Sequence, residues 1–134
     1  MLWQPGMRIT DSRLNDFTPV PLTSVATPAA GFTVSTFSGR RAGGVTEWTL
    51  ILIRSGASLG AADSAGNIGD IACATLPPDC RPADMYVTSF DKAGTASGSV
   101  RILPSGVCTL TSMDPTSSIA SGASVNFAGT FVTG

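Results

Sequence analysis

Histidine is absent from the 134 residues of this chain. Its absence removes the Ser-His-Asp and Cys-His arrangements, the commonest general base, and the imidazole that would complete a zinc site. Charge is scarce as well: acidic and basic residues together make up 13% of the chain, against roughly 25% in ordinary soluble domains. The net charge is −1, and the eight basic residues are scattered singly apart from the Arg40-Arg41 pair. That distribution leaves no electrostatic footprint for nucleic acid or an anionic membrane, so neither is expected as a partner. Long hydrophobic runs are missing too. The longest strongly apolar stretch is Leu50-Ile51-Leu52-Ile53, far short of the ~20 residues that insert across a bilayer. No cleavable signal pattern opens the sequence, which reads as a protein made in a cytoplasm.

Cysteine is sparse and unhelpfully spaced. Cys73, Cys80 and Cys108 form no C-x-x-C pair and no even framework, which favours free, buried thiols while leaving a Cys73–Cys108 bridge open. Neither a Walker loop nor a G-x-G-x-x-G fingerprint occurs, so the glycines belong to turns, and no catalytic set, metal site or cofactor is implied. Glu47, Asp63, Asp70, Asp79, Asp84 and Asp91 could in principle supply a glycosidase pair, but single carboxylates in turns are usually local hydrogen-bond acceptors. The oxygen-rich loop Asp63-Ser64-Ala65-Gly66-Asn67 with Asp70 reads as a polar turn rather than a calcium loop, because its spacing fits no dedicated motif. Tyr86 is the best aromatic candidate for a sugar platform, against the alternative that it belongs to the core.

What the chain does have is β-strand chemistry and hydroxyl groups. The apolar fraction is 43% and Ser and Thr number 32, a surface that stays in solution through hydroxyls or through cover by neighbouring subunits. The first thirty residues, with Pro5, Pro19, Pro21 and Pro28, read as an extended arm in which Thr10 caps one short helical turn over residues 11–16. Leu2, Trp3, Met7, Ile9, Leu14 and Phe17 cannot form a core of their own there, so they need a partner surface, either the domain's own body or another protein in an assembly, and are the expected docking residues. From residue 31 to 134, short β-branched and aromatic runs alternate with Gly, Pro, Asp and Ser clusters. Seven antiparallel strands are predicted, over 32–37, 45–54, 68–75, 85–90, 99–103, 107–111 and 125–132, with hairpin loops at 39–44 and 104–106. The expected fold is an all-β antiparallel sandwich or jelly roll with an N-terminal arm.

Two strands carry apolar residues on both faces. In 45–54 these are Trp48, Leu50 and Leu52 against Val45, Ile51 and Ile53, and in 125–132 Val125, Phe127 and Phe131 share one face. One face of each meets the core and the other needs cover, from the arm or from a neighbouring copy, and Trp48, Ile51, Ile53, Phe127 and Phe131 are the expected subunit interface. The alternative is an ordinary half-exposed strand marked by Glu47, Thr49 and Arg54. The loops 55–66 and 92–97, rich in small residues, are the expected binding loops.

The second half resembles the C-terminal modules of bacteriophage tail-fibre and related virion proteins. The matching text is Gly66-Asn67-Ile68, Ala74-Thr75-Leu76-Pro77 leading to Arg81-Pro82, Val100-Arg101-Ile102 with Pro104-Ser105-Gly106-Val107, and Gly129-Thr130-Phe131 in a closing strand. It departs from that pattern at Asp79-Cys80, where such modules carry a glycine and an aromatic. The opening, Trp3-Gln4-Pro5-Gly6-Met7-Arg8-Ile9-Thr10 with Arg13-Leu14-Asn15, is similar to the start of minor tail proteins of actinobacterial phages. The resemblance implies a non-enzymatic virion protein, a homotrimer displayed on the particle, docked to other virion proteins through its arm and touching a host surface glycan. Two alternatives stand beside it, a capsid decoration protein and a glycan-degrading tail enzyme.

Overall fold

The structure, a computed structural model, describes residues 18–132. The helical turn expected over 11–16 lies outside them. All seven predicted strands are present: β3 (Phe32–Ala42), β4 (Val45–Arg54), β6 (Asn67–Thr75), β7 (Tyr86–Lys92), β8 (Ala96–Ile102), β9 (Val107–Met113) and β11 (Ser124–Val132). Four strands of two residues each went unpredicted, β1 (Val20–Pro21), β2 (Thr27–Pro28), β5 (Leu59–Gly60) and β10 (Ser118–Ile119), as did a 3-10 turn over Pro78–Cys80. Among the described residues nine strands form one antiparallel sheet in the order β1-β3-β4-β11-β7-β8-β9-β6-β2, and β5 pairs with β10 separately.

The sheet curls into a half-barrel of the all-β sandwich kind. Its corner is visible in the register. β11 joins β7 only through Val125–Lys92 and Asn126–Asp91, while its whole length pairs with β4. Beyond that corner the two strands part, so β1-β3-β4-β11 faces β7-β8-β9-β6-β2 across one core. Alternation along each strand supplies that core. Trp48, Leu50, Leu52, Val125 and Phe127 come from one layer, and Cys73, Phe90, Val100, Ile102, Cys108 and Leu110 from the other, all at most 4% exposed.

The expected hairpin loop at 39–44 is tighter in the structure. β3 runs on through Ala42, with Arg40 opposite Glu47 and Arg41 opposite Thr46, so that only Gly43 and Gly44 turn the chain and Gly43 takes a φ of +59°. The strands win the extra residues because cross-strand partners are available to them, including an Arg40–Glu47 ion pair at 3.7 Å.

Residues 18–30, assigned to the arm by composition, lie on the body. β1 covers one edge of the sheet at Arg40 and Arg41, and β2 covers the opposite edge at Ala74 and Thr75. The path from Pro21 to Thr27 reaches at most roughly 22 Å, so this strap brings the two edges near one another across the open side of the half-barrel. Ala26 within it is buried and Leu22 packs against the core. Elsewhere the edges are broken by bulges. Ser35 is the extra residue between Val34 and Thr36 in β3, and in β6 the ladder slips between Asn67 and Ile71, where Gly69 and Asp70 both take positive φ.

Candidate functional site

Register sorts the connections into two ends. β4 starts beside the Gly43-Gly44 turn and finishes at Arg54, ten residues later, a distance of about 30 Å. At the proximal end Val20 pairs with Arg41 and Val132 pairs with Val45, so both ends of the described chain are there. At the distal end stand the connection 55–58 after Arg54, the turn at Gly31 before Phe32, the 120–123 connection before Ser124 and the β7–β8 turn at 93–95. Both segments expected as binding loops thus belong to one end, opposite the chain's point of entry.

The ends differ in chemistry. Val20, Val45, Met85, Val87 and Val132 are all exposed large hydrophobics, and register puts every one of them on or beside the proximal ends of β1, β4, β7 and β11. A depression of about 400 Å³ also lies there, lined by Thr18, Val20, Leu22, Arg41 and Asp79 among others. The distal connections carry mainly Ser, Ala and Gly: Ser55, Ala57 and Ser58 are exposed on one, Ala120, Ser121 and Gly122 on another.

Of the five expected interface residues, the structure separates three from two. Trp48 and Phe127 are 2% and 4% exposed and face the chain's own core, where their rings meet edge-on at 5.8 Å. Phe131 is half-buried in the same cluster, against Trp48 and against Tyr86 at 5.4 Å, so Tyr86 serves as core rim as well as surface. Only Ile51 and Ile53 point outward. They are half-buried, with Thr36 and Asn126 beside Ile51 and Thr33 and Ser124 beside Ile53. Of the six expected docking residues, Leu2, Trp3, Met7, Ile9, Leu14 and Phe17, all lie outside the described residues. The carboxylates are equally dispersed. Among the described residues no three His, Cys, Asp or Glu side chains converge as a metal site would require. Asp63 accepts the amides of Ala65 and Asn67 at 3.0 and 3.1 Å, which closes its loop as a turn.

Cys73, Cys80 and Cys108 are free and buried. The bridge left open between Cys73 and Cys108 is not formed, and Cys73 Sγ instead donates to the Cys108 carbonyl at 3.4 Å. Burial pushes the Cys108 thiol up to about 12. Burial and then the neighbouring Asp79 carboxylate raise Cys80 to about 12. Burial, followed by Cys108, raises Cys73 further still. None is poised as a nucleophile at neutral pH.

Two features escaped the sequence reading. Gly56-Ala57-Ser58-Leu59-Gly60 spells the G-x-S-x-G of a nucleophile elbow, but it joins β4 to β5 with no helix following and no histidine to act as base. The second is Arg54, which as a charge closing a strand signals solvent. Its even position instead puts it on the inner face with Trp48, Leu50 and Leu52, and it is only 9% exposed.

No protein-family model matches the chain, and no curated protein matches it.

Proposed function

We propose that this protein is a structural subunit of a larger assembly, of the bacteriophage tail or fibre type, held at its proximal end and presenting its distal loops. The division of the sandwich into two ends carries this reading. Exposed valines and a methionine gather where residues 1–17 join the body, and small hydroxyl-bearing loops occupy the opposite end. Exposed apolar side chains lose water when a neighbour covers them, whereas Ser, Gly and Ala loops keep their hydration and accommodate substitution. The outward pair Ile51 and Ile53 offers a lateral contact for further copies, in keeping with the homotrimer implied by the resemblance to tail-fibre modules.

Immunogold electron microscopy of intact particles tests it. Antibody against residues 55–66 should decorate the particle, and antibody against the Val45 and Val132 surface should not until the particle is dissociated. Label at the tail tip supports attachment, and label over the head makes the chain a capsid decoration protein. Absence of label from both intact and dissociated particles would remove the virion reading.

A further inference from the structure

Among the described residues Arg54 is the one charged residue whose side chain is buried, and its surroundings leave part of it unused. Its stem follows the inner face of β4 opposite Phe32, and its guanidinium carbon sits 4.8 Å from the centre of the Phe32 ring. Nε donates to the carbonyl of Ala57 at 2.8 Å. The other two nitrogens lie against glycine: a Cβ on Gly31 would come 2.6 Å from Nη1, and one on Gly56 would come 2.8 Å from Nη2. Ser55 and Gly56 both donate to the Gly31 carbonyl, at 2.9 and 3.1 Å, which pins the two glycines on the guanidinium. Among the described residues the ion pairs are Arg40–Glu47 and Arg101–Asp70, so Arg54 has no carboxylate partner there. Among the described residues Nη1 and Nη2 donate to no protein oxygen, yet neither is sealed from solvent.

An arginine only 9% exposed and without a counter-charge among the described residues is costly unless something compensates it. The Phe32 ring, whose face attracts a cation, returns part of that cost. The stacked ring and the Ala57 carbonyl also fix the plane of the fork before any ligand arrives, so little side-chain entropy remains to be lost on binding. With Nε occupied, the Nη1–Nη2 edge is what remains, and a paired oxyanion fits it in a bidentate manner. Glycine at 31 and 56 and small exposed residues at 55, 57 and 58 leave the approach uncrowded.

We propose that Arg54 is the anchor of an oxyanion-binding site at the distal end, taking a carboxylate or phosphate group of a ligand presented to the 55–58 and 120–123 connections. This goes beyond the assembly reading and does not depend on it.

The test is a titration of the full ¹⁵N-labelled chain with acetate and, separately, inorganic phosphate, against chloride at matched ionic strength. The amides of Gly31, Ser55, Gly56 and Ala57 and the Arg54 Nε–H should shift together and saturate with an oxyanion but not with chloride. Galacturonate and glycerol phosphate then show which class of oxyanion binds more tightly. Arg54→Met should abolish saturation. Should that variant fail to fold, Gly56→Ala keeps the charge but crowds Nη2, and weakens binding by about ten-fold or more, while Gly60→Ala, whose Cβ would meet nothing within 4 Å, leaves it unchanged. Shifts that rise linearly without saturating, or that persist at wild-type affinity in folded Arg54→Met or, where that variant does not fold, in Gly56→Ala, overturn the proposal.

Discussion

Trp48 lies across Gly129 of the neighbouring strand, with Cζ2 standing 2.7 Å from the place a Cβ on Gly129 would take. Gly39 faces Trp48 from the other side in the same register row, where Leu22 Cδ1 stands 2.7 Å from the place a Cβ would take, so the indole covers the gap at Gly129 and Leu22 the one at Gly39. Phe90 and its partner Gly98 repeat the arrangement, with a Cβ on Gly98 falling 2.5 Å from Phe90 Cε1. Gly129→Ala should therefore destabilise the fold by about 1–3 kcal/mol through overpacking, read as a lower urea midpoint. Gly60→Ala, in open space, should leave the midpoint where it is. Equal midpoints for the two variants would show that Trp48 moves aside freely.

Leu110 is fully buried in the layer opposite Trp48. Leu110→Ala should cost about 2–5 kcal/mol, from lost transfer energy and the cavity left behind, with an unchanged m-value in urea unfolding. A loss under 1 kcal/mol would mean the two layers collapse to fill the space.

The outward isoleucines give the lateral contact a specific test. By light scattering at micromolar concentration the wild-type chain should be oligomeric, and Ile51→Asp should release folded monomers because a charge at a covered apolar contact cannot be accommodated. A monomeric wild type would remove Ile51 and Ile53 from any interface, and an unfolded variant would place them in the fold's own packing.

The three thiols should be silent in the native state. With Cys80 and Cys108 raised to about 12 by burial, the thiolate is a trace species at pH 8, so all three should resist Ellman's reagent until urea opens the fold. Rapid labelling without denaturant would reveal opening of the core on that timescale.

Asp114 sets a small acid-side dependence. Its carboxylate accepts the amide and hydroxyl of Thr116 at 2.9 and 2.8 Å, which hold its pKa below the ordinary 3.8. A depressed folded-state pKa means the contribution is complete above the unfolded value and drains away as pH falls through the folded one. Asp114→Ala should lose a little stability at neutral pH and flatten the profile below pH 3.8. An unchanged profile assigns acid sensitivity to other carboxylates.

Much of this architecture was legible in the sequence because strand alternation is a local signal. The runs around Trp48, Phe90 and Phe127 announce themselves by spacing, and so does the shared face of Val125, Phe127 and Phe131. The strap was not legible. Two-residue strands such as Val20–Pro21 and Thr27–Pro28 have no period, and the prolines that read as an arm are compatible with the outer edge of a sheet, where an amide is not needed. The interface assignment mixed two faces: counted strictly by twos along β4, Trp48 falls with Leu50, Leu52 and Arg54 inside, and Ile51 with Ile53 outside. The same count would have found Arg54, whose charge outweighed its parity.

The strap and the edge bulges bear on how many copies of this protein can share a confined space. A sheet rim occupied by the chain's own residues at Arg40–Arg41 and Ala74–Thr75, and kinked at Ser35 and Gly69–Asp70, shortens the straight stretch on which another chain can lengthen the ladder. Crowding at high synthesis levels then favours contacts that close over an uncontrolled fibre, since a shortened rim weakens growth through the backbone relative to contact through side chains.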